Sequence, residues 1–168
     1  MVRRVYTDEE NQRYYAGLYR VAMSACVLIT DEDDRVLLVK PSYRDWWLLP
    51  GGVVDEGEKP YACAVREARE EVGLTLQVGR LLVVDQRSAA SSHPASTMFV
   101  FDGGRLTEDR HAEVRIDGEE IEAWTWATLD EACALTNQSS GARHRFRAAW
   151  EARAAGGAVY LEDGQPPS

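Results

Sequence analysis

Apolar positions along the chain fall into two periods, and the exchange of one period for the other sketches the fold. Val21 to Thr30 is apolar and β-branched enough for a strand, Asp31-Glu32-Asp33-Asp34 is a turn, and Arg35 to Lys40 returns through Val36, Leu37, Leu38 and Val39 as a second strand. The acidic turn lacks the glycine and closing glutamate of a calcium loop, so a solvated hairpin is expected there. Trp46 to Pro50 is a short apolar piece that runs into Gly51-Gly52. A helix is predicted from Pro60, which is harmless in a first turn, to about Val72, with Gly73 as a left-handed terminator. Its apolar side is Tyr61, Val65, Ala68 and Val72, with the glutamates elsewhere on the circumference.

Leu76 to Asp85 and Thr97 to Asp102 read as further strands, and Leu106 to Glu119 as a loop or loose hairpin. Glu120 to Ala127 alternates Ile121, Ala123, Thr125 and Ala127 against Glu122, Trp124 and Trp126, which is a strand pattern. Two helices close the chain: Leu129 to Thr136, capped by Thr128 with Glu131 three places on, and Ser140 to Ala155, ended by Gly156-Gly157. Val159 to Leu161 is a terminal strand. Upstream, Thr7 caps a short amphipathic helix inside an N-terminal extension of residues 1–20, and residues 164–168 are expected as a disordered tail. There is no repeat and no dividing linker, so residues 1–168 are one domain. Strands and helices mix without strict alternation, the pattern of an α/β domain whose mixed sheet lies between helices.

The chemistry concentrates in one run. After the glycine pair, the predicted helix carries Glu67, Glu70 and Glu71, which at about 100° per residue fall within roughly 100° of arc. Two of them lie in its last turn, where the macrodipole disfavours acids by about 0.3–1 kcal/mol each. A helix built for stability alone would not carry them there, and a divalent cation reverses the sign of the effect. Grouped hard oxygen ligands suit Mg2+ or Mn2+.

The whole run, Gly52-x5-Glu58-x7-Arg66-Glu67-Ala68-x-Glu70-Glu71-x-Gly73-Leu74, resembles the Nudix box, the signature of a family of Mg2+-dependent diphosphate hydrolases. The resemblance implies an α/β/α sandwich with the box helix on one face. It implies that Glu70 and Glu71 are metal ligands together with the carbonyl of Gly52 or its neighbour, that Glu67 is ligand or base, and that Glu58 and Arg66 orient the glutamates. It also implies hydrolysis of a nucleoside diphosphate linked to another moiety: a triphosphate, an oxidised nucleotide or a sugar nucleotide. The alternative is a catalytically silent module that binds a nucleotide as a sensor. The family's base varies, and among Glu113, Glu119 and Glu120 the candidate is Glu120. Ala68 departs from the larger aliphatic residue usual at that position.

Composition narrows the setting. The net charge of −9 argues against a general nucleic-acid binder, which needs a basic footprint. Metal ions can still neutralise a site for a small phosphorylated substrate. Lys40, Arg44 and Arg87 are the candidates to reach a phosphate. Trp47-x-x-Pro50-Gly51-Gly52 also resembles a family pattern. Of adjacent tryptophans in a strand one faces the core and the other can stack on a base, and Trp47 is carried as the substrate candidate. Arg143, Arg145 and Arg147 form a basic patch for a phosphate or a homodimer contact. Three widely spaced cysteines give no zinc or disulfide framework, and no apolar run approaches a membrane span or a signal peptide, so a cytoplasmic setting is expected.

Overall fold

The computed structural model describes residues 6–91, 93–116, 118–136 and 141–168. Met1-Val2-Arg3-Arg4 and the expected helix start at Ser140 lie outside the described residues. The chain forms α1 (Asp8–Ala16), β1 (Ala22–Thr30), β2 (Val36–Pro41), β3 (Gly51–Val53), α2 (Pro60–Val72), β4 (Leu81–Arg87), β5 (Ser96–Arg105), α3 (Glu108–His111), β6 (Ile121–Ala127), α4 (Leu129–Leu135), α5 (Ala142–Ala155) and β7 (Val159–Glu162). The seven strands make one mixed sheet in the order β6-β2-β1-β5-β4-β7, with β3 paired to β1 off that path.

The sheet is buried on both sides because its central strand is apolar at both parities. Ala25, Val27 and Ile29 of β1 face a core completed by Cys63, Ala64, Ala68 and Val72 of α2. Cys26 and Leu28 face the other side, against Ala132 of α4 and Phe146, Ala149 and Ala152 of α5. Period two thus feeds two cores at once, and the result is the expected α/β/α sandwich.

One edge of β1 is shared. Its end pairs with β2 at Thr30↔Val36, while its first half pairs with β3 at Ser24↔Val53, Ala25↔Gly52 and Cys26↔Gly51. The connection between β2 and β3 is pinned by a Val39↔Leu48 bridge and by the Val27 N–H donating to the Pro50 carbonyl (2.9 Å). Residues 42–47 lie within the loop that the Val39↔Leu48 bridge closes.

Several boundaries differ from the sequence reading. β4 begins at Leu81 rather than Leu76, since Gly79 first donates to the Asp102 carbonyl (2.6 Å) and ladder pairing starts at Leu81↔Phe101. β5 runs on to Arg105 instead of stopping at Asp102. Gly103-Gly104 is a bulge, Leu28 pairing with Asp102 and Ile29 with Gly104, and a Cβ at Gly103 would lie 2.6 Å from Ile29 Cγ1. The stretch read as loop or hairpin holds the one-turn helix α3. Residues 164–168 are tied at their start: the Gly164 N–H donates to Asp85 Oδ1 (2.9 Å) and Gln165 bridges to Glu162. α1 has its capping box, Thr7 with Glu10, but none of its residues is buried, and Tyr14 and Tyr15 pack edge to face on each other. Among the described residues no helix is long and apolar enough to cross a membrane.

Candidate functional site

The box helix α2 lies on the sheet through small residues. Its buried positions are Cys63, Ala64, Ala68, Glu71 and Val72; of the Tyr61-Val65-Ala68-Val72 side read from the sequence, Ala68 and Val72 are buried, Val65 is partly buried against the core, and Tyr61 lies outside it. Tyr61 is half exposed, its hydroxyl donating to the Val78 carbonyl (2.7 Å) and its ring edge-on to Phe101. Alanines at 64 and 68 let the helix approach the sheet. Gly73 closes it at φ 71°, a left-handed conformation that favours glycine.

A single guanidinium organises the carboxylates. Arg66 holds Glu58 in a two-pronged pair, Nε to Oε1 and Nη2 to Oε2, both at 3.0 Å. Its Nη1 donates to Glu67 Oε1 (2.7 Å) and Glu70 Oε2 (3.0 Å), and its Nη2 also donates to the Val53 carbonyl (3.2 Å). Arg66 therefore clamps the segment before the helix to two acids on the helix, and its own acidity falls far below the ordinary range because Glu58 binds it. Glu58 is held below the usual carboxylate value by the same bond. Glu67 is pushed the other way: burial raises its value and outweighs Arg66, with Glu70 and Glu120 adding to the rise.

Glu71 takes a different route. It is buried, and its Oε2 accepts the Gly51 N–H at 2.7 Å. Because Val27 donates to Pro50, Gly51's own N–H and carbonyl point away from β1, on the side where Glu71 lies. The glycines are required by close approach. A Cβ at Gly51 would lie 2.4 Å from the Ala25 carbonyl oxygen, and one at Gly52 would lie 2.2 Å from Glu67 Oε1. The Gly52 carbonyl faces Cys63, whose thiol is raised to about 11 by burial and stays a weak donor (3.7 Å). Among the described residues no three acidic, histidine or cysteine groups stand together as a finished metal cage. The donors nonetheless fit a hard divalent cation in kind: two carboxylates meet at one Arg66 nitrogen, and a third is fixed beside the glycine turn.

The remaining candidates separate. Glu120, exposed just before β6, is near enough for its charge to raise the values of both Glu67 and Tyr43, whereas Glu113 is engaged by Arg110 (3.0 and 2.7 Å) on α3. Lys40 is spent on the Arg44 carbonyl (2.6 Å) and Glu122 (2.9 Å) and does not line the cleft described next. Trp47 packs against the α5-side core, while its neighbour Trp46 lines the cleft and lies under the Arg44 guanidinium at 5.4 Å. The pair does separate, but in a bend between strands and not by alternation along one, and it is Trp46 and not the expected Trp47 that takes the open side.

A cleft leads away from the glycine turn. A cavity of about 330 Å3 begins at Gly51, Gly52 and Cys26 and reaches Arg44, Arg87 and Arg145. A second, of about 680 Å3, shares those three arginines and extends to Gly141 and Asp163. Sequence reasoning missed two of its members. His93, which has no partner at ligand spacing in the sequence, has its Nε2 3.3 Å from Arg87 Nη2. Arg145 was read as part of a basic helix patch, but it is buried and paired with Asp85, while Arg147 pairs with Asp130 (2.6 Å), so the patch is divided.

The architecture belongs to a class of small α/β/α domains seen in solved structures. A MutT protein from Methanosarcina mazei Go1 superposes with a TM-score of 0.63 at 22% identity, over 83% of this chain and 99% of that one. The NUDIX domain of Shewanella oneidensis NrtR, complexed with ADP ribose, gives 0.66 at 18% identity, over 87% and 98%. At these identities the likeness shows the fold alone. The sequence then supplies the family: the NUDIX domain profile matches residues 20–149, and the chain belongs to that family. Its relatives include phosphohydrolases. The mouse diphosphoinositol polyphosphate phosphohydrolase 3-alpha is 39% identical over 95 residues, 55% of this chain and 57% of the relative, and human diphosphoinositol polyphosphate phosphohydrolase 2 is 44% identical over 61 residues, 35% and 34%. The chain spans little more than half the length of the first of these and about a third of the second.

Proposed function

We propose that this protein is a divalent-metal-dependent hydrolase of a diphosphate linkage in a small phosphorylated molecule, with Mg2+ as the cofactor and Mn2+ as a substitute. The observation that carries the reading is the Arg66 clamp, which holds Glu58, Glu67 and Glu70 beside Glu71 and the glycine turn, at the head of a cleft. Glu70 and Glu71 would hold the metal with the backbone carbonyl of the glycine turn. Gly51 is favoured for that carbonyl over Gly52, because Gly52's faces Cys63. When bound, the cation neutralises the phosphoryl oxygens and acidifies water.

The chain's own residues do the rest. Glu67 is the group suited to take the proton from the attacking water, since burial raises its affinity for protons above that of a solvated glutamate. Glu120, whose charge adds to that rise, is the second candidate for the role. Arg66 and Glu58 position Glu67 and Glu70 without touching substrate. Arg44 and Arg87 hold the phosphates of the bound molecule, and Trp46 and Tyr43 wall the mouth. The relatives' names span diphosphoinositol polyphosphates, and those of the fold neighbours include an Ap4A hydrolase and a UDP-X diphosphatase, so the substrate panel has to span all three.

The test is turnover of nucleoside triphosphates, diadenosine polyphosphates, sugar nucleotides, ADP-ribose and diphosphoinositol polyphosphates with Mg2+ and with Mn2+, read by product chromatography. Hydrolysis that needs the metal and disappears in Glu70→Gln supports the reading. Tight nucleotide binding without turnover of any member replaces it with the sensor reading.

A further inference from the structure

The far part of the cleft has a charge balance unlike that of the rest of the molecule. Most arginines that form ion pairs do so on the surface, as Arg13 does with Glu9 and Arg110 with Glu113. Arg87 does not. It is partly buried at the end of β4, and among the described residues it has no carboxylate at ion-pair distance; it lies against the His93 ring instead. His93 Nδ1 lies 3.0 Å from the Pro94 carbonyl, so a proton there leaves Nε2 as the acceptor that steers Arg87. Burial, followed by Arg145 close by, disfavours the charged form of Arg87.

Arg44, which also lines the cleft, is likewise held by rings rather than acids, with the Tyr43 and Trp46 ring centroids each 5.4 Å from its guanidinium carbon. Arg145 completes the set from the first turn of α5, its position fixed by the buried Asp85. Among the described residues the carboxylate lining the cleft is that of Asp163, and both its oxygens are occupied by Ser88, at 2.8 Å to its N–H and 2.7 Å to its hydroxyl. The lining is therefore net cationic in a chain whose net charge is −9, so an anion is attracted here locally and not by the protein as a whole. The two cavities, of about 330 and 680 Å3, share Arg44, Arg87, His93 and Arg145, and the smaller one reaches the glycine turn. That places the cationic cluster within reach of one bound molecule whose diphosphate lies at the box, at a size ordinary for small-molecule sites, roughly 300–1,000 Å3.

We propose that Arg44, Arg87 and Arg145 form a second anion subsite, one that takes phosphate groups on the non-reacting part of the substrate. The favoured substrate is then a diphosphate carried on a multiply phosphorylated scaffold, in preference to one joined to a neutral sugar or a nucleoside. The inference rests on the hydrolase reading above, and its test separates the two.

The test uses the full chain and inositol hexakisphosphate as probe, a ring of phosphates with no anhydride to cleave. Calorimetry should detect binding, and Arg87→Gln and Arg44→Gln should each weaken it about tenfold or more, with melting temperatures near the wild type. In turnover, Arg87→Gln should raise KM for diphosphoinositol pentakisphosphate about tenfold more than KM for ADP-ribose, with kcat changed far less, and Arg87→Lys should restore part of the loss. Undiminished binding of the probe by both variants, or equal KM changes for the two substrates, overturns the subsite. So does inorganic phosphate binding as tightly as the probe, because the cleft would then be a site for a free ion. Glu70→Gln should keep the Arg87-dependent binding while losing turnover. If wild type binds the probe through Arg87 but cleaves no diphosphate, the hydrolase reading fails and the subsite stands.

Discussion

The two ends of the cleft solve opposite electrostatic problems. At the glycine turn one guanidinium, Arg66, faces Glu58, Glu67 and Glu70, with Glu71 beside them on the Gly51 N–H. At the far end Asp85 anchors Arg145, while Arg87 and Arg44 lean on His93 and on aromatic rings. The first end has more negative charge than its own cation balances, and the second has more positive charge than its free carboxylate oxygens balance. Folding alone would select neither surplus, since unbalanced charge near a protein surface is worth nothing to the folded state. Each surplus describes a ligand by its sign: a divalent cation at one end and an anion at the other. A diphosphate between them is the molecule that meets both.

The largest effect comes from breaking the cationic end at its root. Asp85→Ala removes the carboxylate paired with a buried guanidinium and should cost about 3–5 kcal/mol, read in urea unfolding. At the acidic end, Glu70→Gln keeps size and helix propensity and should lower kcat about 100-fold or more, with an unfolding curve close to the wild type. Arg66→Gln sharpens the contrast between holding and reacting. It frees three carboxylates without touching substrate, so kcat should fall about 10- to 100-fold while KM moves little.

The smallest effect lies at the boundary of the cationic end. Asp163 is held below the ordinary aspartate value by its bonds to Ser88. A carboxylate with a depressed folded value contributes stability above its unfolded value, near 3.9 on average, and loses it as pH falls through the folded one. Thermal melts of wild type and Asp163→Asn should differ by a constant amount at neutral pH and converge as pH drops below about 4. A gap that grows on acidification would mean the bonds to Ser88 favour the protonated form.

What the sequence made readable follows from the range of each interaction. The Gly73 terminator, the Thr7-Glu10 and Thr128-Glu131 capping boxes and the strand periodicities are local, and they appear where expected. The Arg66 clamp was readable from the family pattern, because its partners sit in the same run. Glu71's burial was not, since the Gly51 N–H that draws it in lies 20 residues upstream. Arg145 was misplaced on a surface patch because Asp85 is 60 residues away in sequence. Gly103-Gly104 looked like a strand end because a bulge and a turn use the same residue, and only the register opposite Ile29 distinguishes them. His93 had no partner at ligand spacing in the sequence, and its significance depends on where β4 delivers Arg87.

The divided edge of β1 separates what this domain must keep from what it can trade. The residues from 42 to 47 carry Tyr43, Arg44 and Trp46 over the opening, yet both flanks of that segment are fastened to the sheet by backbone bonds that do not depend on side-chain identity. Replacing those side chains leaves the frame intact, so a lineage or an engineer can retune what the cleft recognises by rewriting one short connector while the acidic helix goes untouched.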